Sequence, residues 1–272
     1  MLQLIRLTAK RAREERLPQV AGSLTFTTML STVPLLAVGF ALFARFALLR
    51  PIGAILQEHL LEGLLPAEIA RIVLRYLRQF TANTGGLTPV GFLFLVGTAL
   101  ATAFTVERVL NRVWQVRKER PLLRRLGLFV VMVVVAPVLV GTSLWVTSLW
   151  QSVGLLRPLP TWAGYVLAMA PVLLAAAGFA GLFYYVPNAN VRRREALVGG
   201  FLAGIAFELG KLGFAIYLQN VPTYRTVYGA FAPLLAFLLW VYFSWLVTLA
   251  AALVTANLGR AGKQPARRLA RA

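Results

Sequence analysis

Two residues pose the first chemical question. The stretch GGFLAGIAFELGKLGFAIYL, from Gly199 to Leu218, is apolar enough to cross a membrane, yet Glu208 and Lys211 stand in its middle. A carboxylate and an ammonium are each costly in hydrocarbon. Three residues apart on a helix, they can reach each other. With Gly200 set to zero and about 100° per residue, Gly204 falls at about 40°, Glu208 at about 80°, Lys211 at about 20° and Ala215 at about 60°. Small residues and charges therefore share one stripe. Small residues let a second helix approach closely, so this stripe is expected to face the bundle interior. The pair then either fixes helix register as a neutralised unit or forms a polar site for a substrate, a proton or a headgroup.

Other polar groups extend the pattern. In AGSLTFTTMLSTVPLL, Ser23, Thr27, Ser31 and Pro34 fall on one helical face. Pro34 removes a backbone hydrogen bond and is expected to kink the helix and expose a carbonyl. Thr98, Thr102 and Thr105 share a face of the next apolar segment, which ends in Glu107, Arg108 and Asn111. Hydroxyls commonly bond back to their own helix, so each stripe alone reads as packing; with the charged pair and the proline they describe a polar interior. Snorkelling accounts for Arg108, and Asn111 is expected to cap the helix. Around the last apolar segment, Tyr224, Tyr228, Trp240, Tyr242 and Trp245 are candidate interfacial anchors. Tyr228–Gly229 reads as a tight helix entry, while Trp240 and Trp245 fall deeper, to pack or to line a cavity. The candidate set for a substrate path or coupling is Glu208, Lys211, Glu107, Ser23, Thr27, Ser31, Tyr228 and Trp240.

The same inventory excludes much chemistry. There is no cysteine, no aspartate and one histidine, His59; all nine acids are glutamate. Metal-assisted hydrolysis wants clustered Asp, Glu or His, and no Ser/His/acid or Cys/His set can be assembled. No GxxxxGK[ST] loop cradles a nucleotide phosphate. The chain is thus expected not to be an enzyme, with no catalytic residue, cofactor or metal.

The elements that must position these residues are membrane helices. Of 272 residues, 59% are hydrophobic and the mean hydropathy is +0.73. Six apolar segments are each long enough to span hydrocarbon about 30 Å thick; they lie near 22–49, 87–108, 126–151, 162–186, 196–218 and 230–257. The first is too long and too polar for a signal peptide. Net charge is +19. Nineteen Lys and Arg fall in 1–19, 111–125, 187–195 and the tail 258–272, against six in the intervening loops. The positive-inside rule puts both termini and the basic loops in the cytoplasm. The charge is spread over four short segments beside anionic headgroups, unlike the basic stripe of a nucleic-acid surface. In the outer loop 50–86, PAEIARIVLRYLRQF places Ile69, Val73, Tyr76, Leu77 and Phe80 opposite Arg71, Arg75 and Arg78, an amphipathic helix for the outer interface or a cap on the bundle. The expected fold is an all-α, polytopic membrane protein: one domain, 1–272, a six-transmembrane-helix bundle. Its expected partners are membrane lipids and anionic headgroups at the cytoplasmic face, with no nucleic acid; a homo-oligomer is compatible with the sequence.

Several stretches carry a family resemblance: AGSLTFTTMLSTVPLLAV, LLPAEIARIVLRYLRQF, LNRVW and above all YYVPNANVRRREALVGGFLAGIAFELGKLGFAIYLQNVPTYRTVYGAFAPLLAFLLWVY. In order and spacing, over nearly the whole chain, the sequence resembles the BrkB/YihY family of bacterial inner-membrane proteins, once labelled ribonuclease BN. Glu107, Pro187, Glu208, Lys211, Tyr224, Tyr228, Gly229 and Trp240 match its pattern. Leu253 departs from it, standing where the family has an acid. The resemblance implies a six-span protein of the cytoplasmic membrane with envelope functions, for which transport of lipid or another amphipathic molecule has been suggested. The resulting expectation is a transporter or flippase-like protein. A non-transporting structural or regulatory envelope protein is the alternative, and a ribonuclease the remote one.

Overall fold

The computed structural model describes residues 2–45, 89–118, 120–132, 161–220 and 229–261. All the regular structure there is helical. Helix α1 (Leu2–Glu14) ends in a turn at Glu15 and Arg16, and α2 (Leu17–Arg45) follows at once. Arg16 makes the turn in the left-handed region, φ 50°. Helix α3 (Pro89–Val113) opens on a proline, whose missing N–H costs nothing in a first helical turn. A helical stretch at 122–132 precedes α4 (Thr161–Tyr185) and α5 (Arg193–Asn220). A 3-10 turn at Gly229–Phe231 leads into α6 (Ala232–Ala261). Gly229 has φ +49°, open space around it and a conformation that favours glycine.

The helices run further than hydropathy suggested. Residues 1–19 read as a basic segment, but they contain α1, which packs along α6. Helix α3 continues to Val113 and α5 starts at Arg193, so both carry polar turns beyond their apolar centres. Pro34 lies inside α2 and Pro171 inside α4, and each helix runs on through its proline. The outer loop 50–86, most of the segment 126–151, Tyr228 and the tail beyond 261 lie outside the described residues.

Among the described residues, three helices contain stretches long and apolar enough to cross a membrane: Leu93–Val113, Arg193–Leu218 and Leu234–Gly259. Their outward faces agree with that. On α5, Leu197, Phe201, Leu202, Leu209, Leu212 and Ile216 are exposed, which hydrocarbon surroundings tolerate and water would penalise. The main core joins Leu17, Ala21 and Leu24 of α2, Leu110 and Val113 of α3, Phe183 of α4, Ala203 of α5 and Leu249, Ala252 and Leu253 of α6. Because lipid is as apolar as these side chains, close packing carries helix association.

The closest packing is at glycine. A Cβ on Gly200 would lie 2.6 Å from both the Ala176 carbonyl oxygen and the Ala180 nitrogen, and one on Gly204 2.8 Å from the Ala176 nitrogen. Helices α4 and α5 therefore touch backbone to backbone. We predict that Gly204→Val lowers stability by about 1–3 kcal/mol, the usual range for overpacking, because main chain has no rotamer to yield. Gly213, with nothing within 4 Å, is the control: Gly213→Ala leaves stability intact. Thermal unfolding of the two variants in the same detergent checks the contrast.

Candidate functional site

The glycine stripe of α5 fixes where its charges lie. Gly200 and Gly204 are buried against α4, but the packed arc is centred toward Ala196, Ala203 and Phe214. Further along the same stripe, Glu208 and Lys211 are only partly buried. The stripe is thus sealed at its glycine end and partly open at its charged end. Glu208 Oε1 is 2.7 Å from Lys211 Nζ, and the side chains keep 20% and 29% of their exposure. The Lys211 ammonium is also 5.9 Å from the centre of the Phe207 ring. Neutralisation at this distance lowers the cost of holding both charges in an apolar helix.

Behind the pair lies a layer of rings. Trp240 is buried, with its ring 5.4 Å from Phe207, 5.3 Å from Phe214 and 6.0 Å from Phe243. Trp240 therefore packs α6 against α5. Gly210 of α5 admits the Phe243 ring, an edge of which would lie 2.1 Å from a Cβ there.

The hydroxyl stripes are largely self-satisfied. Thr27 donates to the Ser23 carbonyl at 2.9 Å, and Ser31 to that of Thr27. Thr98, Thr102 and Thr105 donate in the same i to i−4 manner to the carbonyls of Phe94, Thr98 and Ala101, at 2.9, 3.0 and 2.8 Å. Ser23 is exposed, Thr27 intermediate and Ser31 buried. The Thr28 hydroxyl links helices: Trp245 Nε1 donates to Thr28 Oγ1 at 3.0 Å, joining α6 to α2.

The densest polar structure is at the end of the bundle that carries α1. Arg11 is 6% exposed. Its Nη1 donates to Asn257 Oδ1 at 2.6 Å and its Nη2 to the Val113 carbonyl at 2.9 Å, while Asn257 Nδ2 donates to Thr8 Oγ1 at 3.0 Å. One guanidinium thus joins α1, α3 and α6. Arg120 does the same after α4: its fork donates to the Tyr185 and Pro187 carbonyls at 2.8 and 2.9 Å, and its Nε to Asn188 Oδ1 at 3.1 Å. The Asn188 main-chain N–H donates to Asn111 Oδ1 at 2.7 Å. Asn111, expected as a cap on its own helix, instead ties α3 to the loop after α4.

Glu107 completes this end. It is 3% exposed, and its Oε2 accepts from Arg125 Nε at 2.7 Å. The Arg125 guanidinium lies 4.5 Å from the Phe104 ring centre. Glu107 Oε1 is buried without a hydrogen-bond partner among the described residues. The candidate residues therefore form separate groups. Glu208, Lys211 and Trp240 lie together across α5 and α6; Glu107 belongs to the α1 end; Ser23, Thr27 and Ser31 line α2; Tyr228 lies outside the described residues. Among the described residues no three metal-ligating side chains come together.

Sequence reasoning did not single out Arg11, Arg120, Arg125, Asn188 or Asn257. The one available signal was Asn257, an amide late in an apolar helix, which needs a partner when buried.

Long apolar helices with lipid-type outer faces, an ion pair in one of them and a polar cluster at one end define a helical membrane protein. Residues 8–272 match the family described as virulence factor BrkB, and the chain belongs to that family. It is similar to UPF0761 membrane proteins from Ralstonia nicotianae, 48% identical over 257 residues and 94% of this chain, and from Paraburkholderia xenovorans, 43% identical over 263 residues and 94% of this chain. A third, from Bordetella petrii, is 43% identical over 257 residues, again 94% of this chain. The chain spans 58%, 60% and 57% of the length of these relatives. No solved structure matches.

The buried pair at the α1 end gives a prediction. Arg125→Met leaves the Glu107 carboxylate buried without its cation, which typically costs about 3–5 kcal/mol. Adding Glu107→Leu removes the orphaned charge, so the double variant is expected to regain a large part of that loss. Denaturant unfolding of the two single variants and the double variant measures the coupling.

Proposed function

We propose that the chain is a transporter or flippase-like protein that moves a lipid or other amphipathic envelope molecule across the bacterial cytoplasmic membrane, without catalytic chemistry of its own. In this reading six helices span the bilayer with both termini in the cytoplasm. Four basic segments support that orientation, because α1, the turn after α3, the loop after α4 and the end of α6 meet at one end through the Arg11, Arg120 and Asn111 bonds. The observation that carries the transport reading is the half-buried Glu208–Lys211 pair of α5. A pair needed only for register could be sealed among helices; this one keeps part of its side-chain exposure. An anionic headgroup competing for Lys211 would leave Glu208 to take up a proton.

The alternative is a non-transporting structural or regulatory envelope protein. It is favoured by the hydroxyls of α2 and α3 being spent on their own helices, and by Trp240 being packed among rings.

Fluorescent phospholipid translocation in proteoliposomes separates the two. With matched amounts of folded protein, wild type is expected to move lipid, and Glu208→Gln and Lys211→Met to lose at least about tenfold in rate, the equivalent of roughly 1.4 kcal/mol in the barrier. Undiminished transport by Lys211→Met would remove the pair from the mechanism. Absence of transport by wild type, with both variants less stable, would favour the scaffold.

A further inference from the structure

The basic residues at the α1 end fall into two groups. Arg11, Arg120 and Arg125 are consumed by the fold. Arg108, Arg112, Arg117 and Lys118 are not, and all four line one open groove of about 720 Å³. That volume is within the range of small-molecule sites.

Two segments bring these cations together. Arg108, Asn111 and Arg112 are spaced i, i+3 and i+4, so they share one face of the last turns of α3. The chain then reverses at Gln115, in the left-handed region at φ 56°. Val116 N–H donates to the Asn111 carbonyl at 2.9 Å and Gln115 N–H to that of Arg112 at 2.9 Å. This is the double bond pattern that closes a helix C-terminus, with glutamine at the position where glycine is usual. The reversal returns Arg117 and Lys118 to the same hollow. It is held from outside, because Asn188 Nδ2 donates to the Lys118 carbonyl at 3.0 Å.

The donors in the groove are unspent. Among the described residues Arg112, Arg117 and Lys118 have no ion pair, and Arg108 has one long bond, from its Nε to the Phe104 carbonyl at 3.3 Å. Asn111 is 6% exposed and lines the groove; with Oδ1 held by Asn188, its Nδ2 has no partner among the described residues. Among the described residues the one carboxylate there, Glu15, lies 3.8 Å from Arg11 Nη2. Positive-inside charge asks only that cations lie on one side of the membrane. It does not call for four of them converging on a concave surface, where mutual repulsion costs energy and the field is focused.

We propose that this groove binds a phosphate group. Guanidinium forks match phosphate oxygens two at a time, and the Asn111 amide supplies a neutral donor beside them. The bound group belongs either to a lipid headgroup or to a soluble phosphate ester. The site is separate from Glu208 and Lys211, and it stands whether or not lipid is transported.

The test uses the full chain in phosphatidylcholine nanodiscs and two probes, short-chain phosphatidic acid and soluble inositol hexakisphosphate, with binding measured by calorimetry. The variants are R112Q/R117Q in the groove and R13Q/R194Q, which removes equal charge from exposed positions outside it. Wild type is expected to bind at least one probe, the groove variant at least tenfold more weakly, and the control within twofold of wild type. Binding of phosphatidic acid alone identifies the headgroup, and binding of the soluble ester identifies a free ligand. Equal weakening in both variants would reduce the effect to net charge and overturn the proposal, as would no binding of either probe by wild type.

Discussion

A single buried guanidinium holds one end of this bundle together. Arg11 reaches Asn257, 246 positions away in sequence, and the last carbonyl of α3. A charge that deep is tolerated only where several of its donors are met. Meeting them requires α1 to lie across α6 and α3 to stop where it does. The neighbouring Arg120 applies the same constraint to the Tyr185–Asn188 corner. In an environment where apolar burial gives helices little reason to associate, such fixed donors and acceptors set which helix ends meet.

The two halves of the molecule use different physics. At the α1 end, geometry is set by directional bonds to carbonyls and amides, and a cation left out of that network is free to face a ligand. Along α5 and α6 it is set by shape, with glycine against main chain on one side and aromatic rings on the other. The Glu208–Lys211 pair belongs to the second half. It lies beside the rings rather than within a hydrogen-bond network, which is why it keeps part of its exposure.

The fold was legible to the extent that hydropathy and charge reach. The apolar centres of α2 to α6 follow the sequence reading, and among the described residues the basic segments 1–19, 111–125 and 187–195 come to one end. The arc containing Gly200, Gly204, Glu208 and Lys211 was legible as an arc, since about 100° per residue fixes relative angles. Its glycine end faces α4, as the small residues suggest; how far its charged end is covered was not legible, because that depends on how neighbouring helices extend along α5, and Glu208 and Lys211 keep 20% and 29% of their side-chain exposure. The network at the α1 end was hidden for another reason. Arg11 looks like Lys10 and Arg13 in the sequence, and only a partner 246 positions on distinguishes it. Glu107 stood out as an acid at the end of a span, but nothing in the spacing identified Arg125, rather than Arg124, as its cation. Leu253 is fully buried in one cluster with Leu17, Leu24 and Leu110, a place where an unpaired carboxylate would be costly to hold.

The glycine contacts also decide where α5 has room to move. Near its start, a Cβ on Gly199 would lie 1.7 Å from Thr255 Oγ1, so α5 and α6 are wedged together close to the Arg11 network. Further along, the space between them is filled by the rings of Phe207, Phe214, Trp240 and Phe243, and rings can turn where main chain cannot. Against α4, the Gly200 and Gly204 contacts oppose sliding. Helix α5 is therefore held against hard neighbours at the basic end and against rings further along, where the Glu208–Lys211 pair lies.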